Sequence, residues 1–146
     1  PEKKKCIEIA KKYKKKKINF KSALFDEVPE IQNQADVLLL SLKKGVGKTA
    51  LPSKLTAYML SGKPVIAAVD VDSGAAEIIK NTSCGWVVEA EKEVRLIECM
   101  EKTRGLDSKV LEEMGNAGLQ YANKKLSKFT NLNKILTIIK KNQRSI

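Results

Sequence analysis

Apolar and polar positions divide this chain into two regimes. Val37 to Leu40 (VLLL) and Val65 to Val69 (VIAAV) are continuous apolar runs, as parallel strands covered on both faces require. Gly85 to Val88 (GWVV) is a shorter run of the same kind. Between the first two, Pro52 and Ser53 open a helix, Gly62 closes it and Pro64 prevents its continuation. Ser73 is placed to cap a helix over Gly74 to Lys80. Strands alternating with helices of this length predict βαβ units and a parallel sheet. After Val88 the pattern is helical throughout. One helix is predicted over Lys92 to Thr103, and a second, capped by Asp107, runs to about Lys125. A last helix follows Ser127, with Leu132, Ile135, Leu136 and Ile139 on its apolar face.

Ahead of Val37 the pattern is weaker. Residues 2–16 read as a helix with Cys6, Ile7, Ala10 and Tyr13 on one face. Ile18 to Lys21 (INFK) is β-prone. Asp26 is placed to cap a short helix over Glu27 to Gln34, with Pro29 in its first turn. The fold class expected is α/β: a Rossmann-like parallel sheet flanked by helices, with a helical C-terminal tail. At 146 residues the chain is one domain in size. It divides into a sheet-bearing unit over residues 1–126 and a terminal helix over residues 127–146.

Composition narrows the chemistry. There is no histidine, so catalysis through one is closed to this chain. Cys6, Cys84 and Cys99 have no close pair and no zinc spacing, which leaves no metal site to propose. Three unpaired thiols without an export segment predict a reducing, cytoplasmic setting. No apolar run approaches the ~20 residues of a membrane span.

Net charge is +11, concentrated at the ends. Residues 1–21 hold 10 Lys against Glu2 and Glu8, and residues 122–146 hold 6 Lys and Arg144 with no acid. Basic ends suit an anionic membrane face or nucleic acid, and solvated helix faces account for them equally. Aromatic residues do not interleave with the lysine runs, which argues against nucleic acid. Peripheral contact with the inner face of a membrane stays open.

Candidate chemistry gathers in the loop between VLLL and the helix opened by Pro52, where open α/β sheets bind phosphates. Lys44-Gly45-Val46-Gly47-Lys48-Thr49 resembles the phosphate loop of the partitioning ATPases, KGGVGKT. Val69-Asp70-Val71-Asp72 resembles that family's second acidic strand end. This reading predicts magnesium-dependent ATP hydrolysis lost in Lys48→Ala. It lacks one of the paired glycines, and Leu42 stands where the general phosphate-loop pattern needs its first. A third reading, a basic helical module on nucleic acid or membrane, predicts binding lost steeply with salt.

A longer series of segments resembles another family, the group 1 glycosyltransferases of GT-B fold, in their C-terminal, donor-binding domain. Ile18-Asn19-Phe20 with Val28-Pro29 is similar to the family's first strand and helix here. Gln34-Ala35-Asp36-Val37-Leu38-Leu39 is similar to its "aaADVlL" strand. Pro52-Ser53-Lys54-Leu55, Tyr58-Met59 and Gly62-Lys63-Pro64-Val65-Ile66-Ala67 resemble "PSKLxEYMaaGKPVIA". Cys84-Gly85-Trp86-Val87-Val88 resembles "CGWVV". Met114-Gly115, Gly118, Tyr121-Ala122 and Ser127-Lys128-Phe129 resemble the tail "MGxxGrxYAxxxFS".

The resemblance implies a glycosyl transfer from a nucleoside-diphosphate sugar to an acceptor hydroxyl, in cell-surface polysaccharide or glycan synthesis. It implies no cofactor besides that substrate. It implies earlier strands and an acceptor-binding N-terminal domain upstream, toward which the last helix crosses, with a glycan or lipid-linked acceptor. By the same resemblance Gly47, Thr49, Leu51, Pro52, Ser53 and Lys54 hold the diphosphate. Ala57 and Tyr58 occupy the ribose position, and Lys21, Ser22, Ala23 and Leu24 the base pocket. Ser73, Gly74 and Glu77 face the donor sugar. Relatives commonly carry two glutamates eight positions apart, at the places of Thr49 and Ala57; both are absent. An ordinary cap at Ser53 and solvated lysines at Lys43, Lys44, Lys48 and Lys54 are the plainer alternatives. Asp70 and Asp72 suit a hydroxyl or metal, or serve as turn formers.

Overall fold

The computed structural model describes residues 2–13, 18–48 and 51–143. The first helix, α1, spans Glu2–Lys11 and the second, α2, spans Val28–Asn33. Strand β1 (Leu38–Ser41) leads through a 3-10 turn at Val46–Lys48 to α3 (Ser53–Leu60). Strand β2 (Val65–Val69) leads to α4 (Gly74–Thr82), and β3 (Gly85–Glu89) to α5 (Glu93–Arg104). The chain ends with α6 (Ser108–Tyr121), a π-helical stretch over Ala122–Leu126, and α7 (Lys128–Gln143).

The three strands form one parallel sheet in the order β1-β2-β3. Leu40 lies opposite Ala67, and Val65 opposite Gly85. A Cβ on Gly85 would run into the Val65 carbonyl, so glycine is what lets β3 pair this closely. The expected α/β class with a parallel sheet, flanking helices and a helical tail is the fold observed.

The core lies between one sheet face and two helices. Leu40, Val65, Ala67 and Val69 meet Leu55 and Met59 of α3 and Ala75, Ala76 and Ile79 of α4. Leu55 and Met59 are four apart and fully buried, so one stripe of α3 fastens it to the sheet. Burying each such side chain is worth roughly 1.5–3 kcal/mol. The far end of α3 is fixed as well. Gly62 takes φ +66°, and α6 crosses it so closely that a Cβ on Gly115 would strike the Gly62 carbonyl. Helix α5 packs toward β2 and β3, while Leu39 remains 44% exposed beside a groove of about 510 Å3.

Four expectations need correction. Ile18 to Phe20 forms no strand. Ile18 and Phe20 stay exposed, and a strand with no ladder partner and no face to bury has nothing to offset its ordering entropy. Asp26 does not cap α2. Glu27 occupies the cap position with αR backbone, and its carboxylate accepts from the Leu24 amide at 2.8 Å, closing the turn instead. The helix capped by Asp107 gives way to π geometry after Tyr121 rather than running unbroken to Lys125. Helix α1 ends at Lys11, with Lys12 in a turn and Tyr13 beyond it, short of the expected 2–16, and residues 14–17 lie outside the described residues.

Candidate functional site

In a parallel sheet each strand delivers its following helix N-terminus first at the carboxyl edge. Here that edge carries the ends of β1, β2 and β3 and the starts of α3 and α4. The chain between β1 and α3 does not swing away from it. The Leu42 amide extends the ladder to the Ala68 carbonyl at 3.0 Å. The Gly45 amide then donates to both carboxylate oxygens of Asp70, at 3.1 and 2.8 Å. Asp70 follows β2 and is 5% exposed. Lys44 reaches Glu89 at the end of β3, at 3.4 Å; both side chains are well exposed, so that pair is worth little. Gly45 takes φ +85°, which a side chain would strain. Gly47 is buried against Ser73, Leu42 and Asp70.

This geometry differs from a phosphate loop. The amide that such a loop turns toward a phosphate is bound here to the protein's own carboxylate. The 3-10 turn ends at Lys48 and α3 begins only at Ser53, so Gly47 and Lys48 do not lead directly into the helix as a phosphate loop requires.

The start of α3 is arranged otherwise. Pro52 sits at its cap with extended backbone (φ −62°, ψ 125°) and supplies no side-chain acceptor to the first turn. Ser53 and Lys54 are exposed beside it. A groove of about 250 Å3 runs between Leu39–Leu42 and Pro52–Lys54. The Leu55 amide is taken by the Pro52 carbonyl at 2.9 Å, and the helix dipole, the Ser53 hydroxyl and the Lys54 ammonium beside one concavity are an arrangement suited to an anion. Leu51, just before Pro52, is 38% exposed. Thr49 lies outside the described residues.

Ala57 is exposed one turn beyond Ser53, on the same side of α3. Tyr58 is half-buried against the core and accepts from the Ser61 hydroxyl through its carbonyl at 2.8 Å. Lys21, Ser22, Ala23 and Leu24 are all exposed in irregular chain. Their hydrogen bonds run to Lys3 (from its ammonium to the Ser22 hydroxyl, 3.0 Å) and to Glu27, not to α3.

Ser73 is buried and occupied twice. Its hydroxyl donates to the Asp70 carbonyl at 2.6 Å and accepts from the Ala76 amide at 3.2 Å, capping α4. Gly74 and Glu77 are exposed on the first turn of α4, with open space around Gly74. The structure therefore gathers Gly47, Leu51, Pro52, Ser53, Lys54, Ser73, Gly74 and Glu77 along one edge, in two clusters, and leaves residues 21–24 apart. Sequence reasoning had assigned Asp70 a ligand or turn role. Its part in holding Gly45 was visible only as an acid ending a buried strand near a glycine loop.

Among the described residues no group of three His, Cys, Asp or Glu side chains is placed to hold a metal ion. No helix among them is long and apolar enough to cross a membrane. Burial pushes the Cys84 and Cys99 thiols up from their ordinary pKa, which makes both poor nucleophiles.

Three parallel strands in one sheet flanked by helices define a Rossmann-like class of α/β domain. The model of the family described as group 1 glycosyl transferases matches residues 1–105, and the chain belongs to that family. No curated protein gives a match.

Proposed function

We propose that this chain is the donor-side domain of a GT-B glycosyltransferase. It binds a nucleoside-diphosphate sugar with the diphosphate at the start of α3, and the sugar passes to an acceptor hydroxyl. The observation that carries this reading is the open first turn of α3, bordered by Ser53, Lys54 and the groove along β1. As the bond between sugar and diphosphate breaks, negative charge grows on the leaving group. Fixed amides and the Lys54 ammonium stabilise that charge without reorganising. Pro52 lines the concavity, and Gly47, Thr49 and Leu51 are assigned to the diphosphate by the family resemblance. Ala57 and Tyr58 border the ribose, Gly74 and Glu77 the sugar; Ser73 acts by capping α4 beneath it. Residues 21–24 are assigned to the base by the family resemblance alone, since they stand apart from this edge.

Residues 1–126 form the donor unit, and residues 127–146 cross to an N-terminal domain holding a glycan or lipid-linked acceptor. Support comes from α7, which exposes Phe129 at 76%, Leu132 at 48% and Leu136 at 51%. No cofactor besides the sugar nucleotide takes part. The product belongs to cell-surface polysaccharide or glycan synthesis, made in the cytoplasm with the basic chain ends toward the anionic inner membrane face.

Calorimetric titration with UDP, GDP and ADP and their sugar conjugates tests the reading. Binding of at least one is expected, weakened about 3–10-fold in Lys54→Ala. Failure of the chain to bind any of them would overturn it.

A further inference from the structure

The loop after β1 is the one long connection at the ligand edge, and its position is decided from outside itself. Eleven residues separate Ser41 from Ser53, where β2 reaches α4 through only four. A loop of that length has many conformations open to it. Two anchors restrain it from neighbouring strand ends: Asp70 after β2 takes the Gly45 amide, and Glu89 of β3 takes Lys44. The second is exposed and weak. The first is part-buried and charge-assisted, one N–H shared between both oxygens of a buried carboxylate, which is the stronger kind.

We infer that Asp70 is a positioning residue for donor binding: by holding the Gly45 amide it lays the loop 43–48 across the sheet edge and shapes the approach to α3. This rests on the donor site proposed above. Asp70 does not itself touch the diphosphate. A buried carboxylate facing a phosphate would repel it, and here the carboxylate is turned into the Gly45 amide, beneath the loop. Gly47 is buried in the same corner, and a Cβ there would meet Ser73, Leu42 and the Asp70 carboxylate at ordinary contact distance, so the loop packs onto the carboxylate without needing glycine at this position. The arrangement also accounts for the departure from a phosphate loop. An internal anion occupies the amide, so the incoming anion is left to the start of α3.

Asp70→Ala and Asp70→Asn, with Ile79→Val as a core control, test the inference in the whole chain. Three quantities are read: the Kd of the best-binding nucleoside diphosphate, the Tm, and amide hydrogen exchange at Gly45. Asp70→Ala is expected to raise Kd about tenfold and to release the Gly45 amide to exchange. Asp70→Asn, whose side-chain oxygen still accepts one bond, should recover part of both. Ile79→Val should lower Tm with Kd and Gly45 exchange unchanged. An Asp70→Ala protein that binds as the parent does overturns the inference and leaves the donor site standing. So does a Kd loss that merely follows Tm, as a general loosening would. A parent chain that binds no nucleoside diphosphate overturns the donor site, and the positioning role falls with it.

Discussion

Two connections leave adjacent strands at the same sheet edge and finish in opposite ways. After β2 the chain turns at once. Ser73 donates to the Asp70 carbonyl and accepts from Ala76, so α4 starts with its hydrogen bonds satisfied from within. After β1 the chain crosses the edge, is tied down by Asp70, and enters α3 behind a proline with no side-chain cap. The first connection spends its polar groups on stability. The second leaves Ser53 and Lys54 bordering a groove, with no side-chain cap between them and it. A helix start that caps itself is part of the scaffold, whereas one left uncapped beside a concavity is where a ligand can act.

The comparison breaks most completely if the platform beneath α3 is removed. Gly115→Val would drive a side chain into the Gly62 carbonyl, where α6 crosses the end of α3. A loss of about 3 kcal/mol in chemical denaturation is expected, with donor binding lost alongside. A smaller and sharper test places one substitution at both helix starts. Ser73→Ala should cost about 1–2 kcal/mol, because a buried cap and its partner bond disappear. Ser53→Ala should leave stability within about 0.5 kcal/mol and weaken nucleoside-diphosphate binding. Equal stability losses at the two sites would mean the helix starts do not differ as described.

Lys54→Ala probes charge alone. Tm should stay the same, and the affinity gap from the parent should narrow as salt rises, since an exposed ammonium is screened. The smallest effect expected concerns Cys84, buried just ahead of β3 at the opposite edge of the sheet from both connections. Burial holds its thiol pKa above the ordinary 9.0. Below pH 9 the folded and unfolded chains both carry the neutral thiol and stability is unaffected by this group. As pH rises past that value the unfolded chain ionises first, so stability falls toward the folded pKa. Cys84→Ala should flatten this alkaline decline in pH-dependent denaturation.

The same contrast separates what could be read in advance. The buried runs at Val65 to Val69 and Gly85 to Val88 became strands at those places, the latter one residue longer. Ser73, Asp107 and Ser127 all cap the helices they precede, each accepting an amide from the first turn. Such features are local: a cap needs a neighbour two or three residues on, and a strand needs only an apolar run to bury. INFK failed because a strand also needs a partner. The phosphate-loop likeness misled for the same reason. Lys44 to Thr49 fixes which amides are available, but not where they turn.

What the amino-acid order determined unaided was the alternation of strands and helices, their caps and breaks, and the family to which they belong. Periodicity and capping act within a few residues and leave their mark in any window of the chain. What only the tertiary structure decided was where the loop after β1 lies across the sheet edge. That placement hangs on Asp70 meeting Gly45 from 25 positions away, a contact created when β1 and β2 pair in register and bring their ends to one edge.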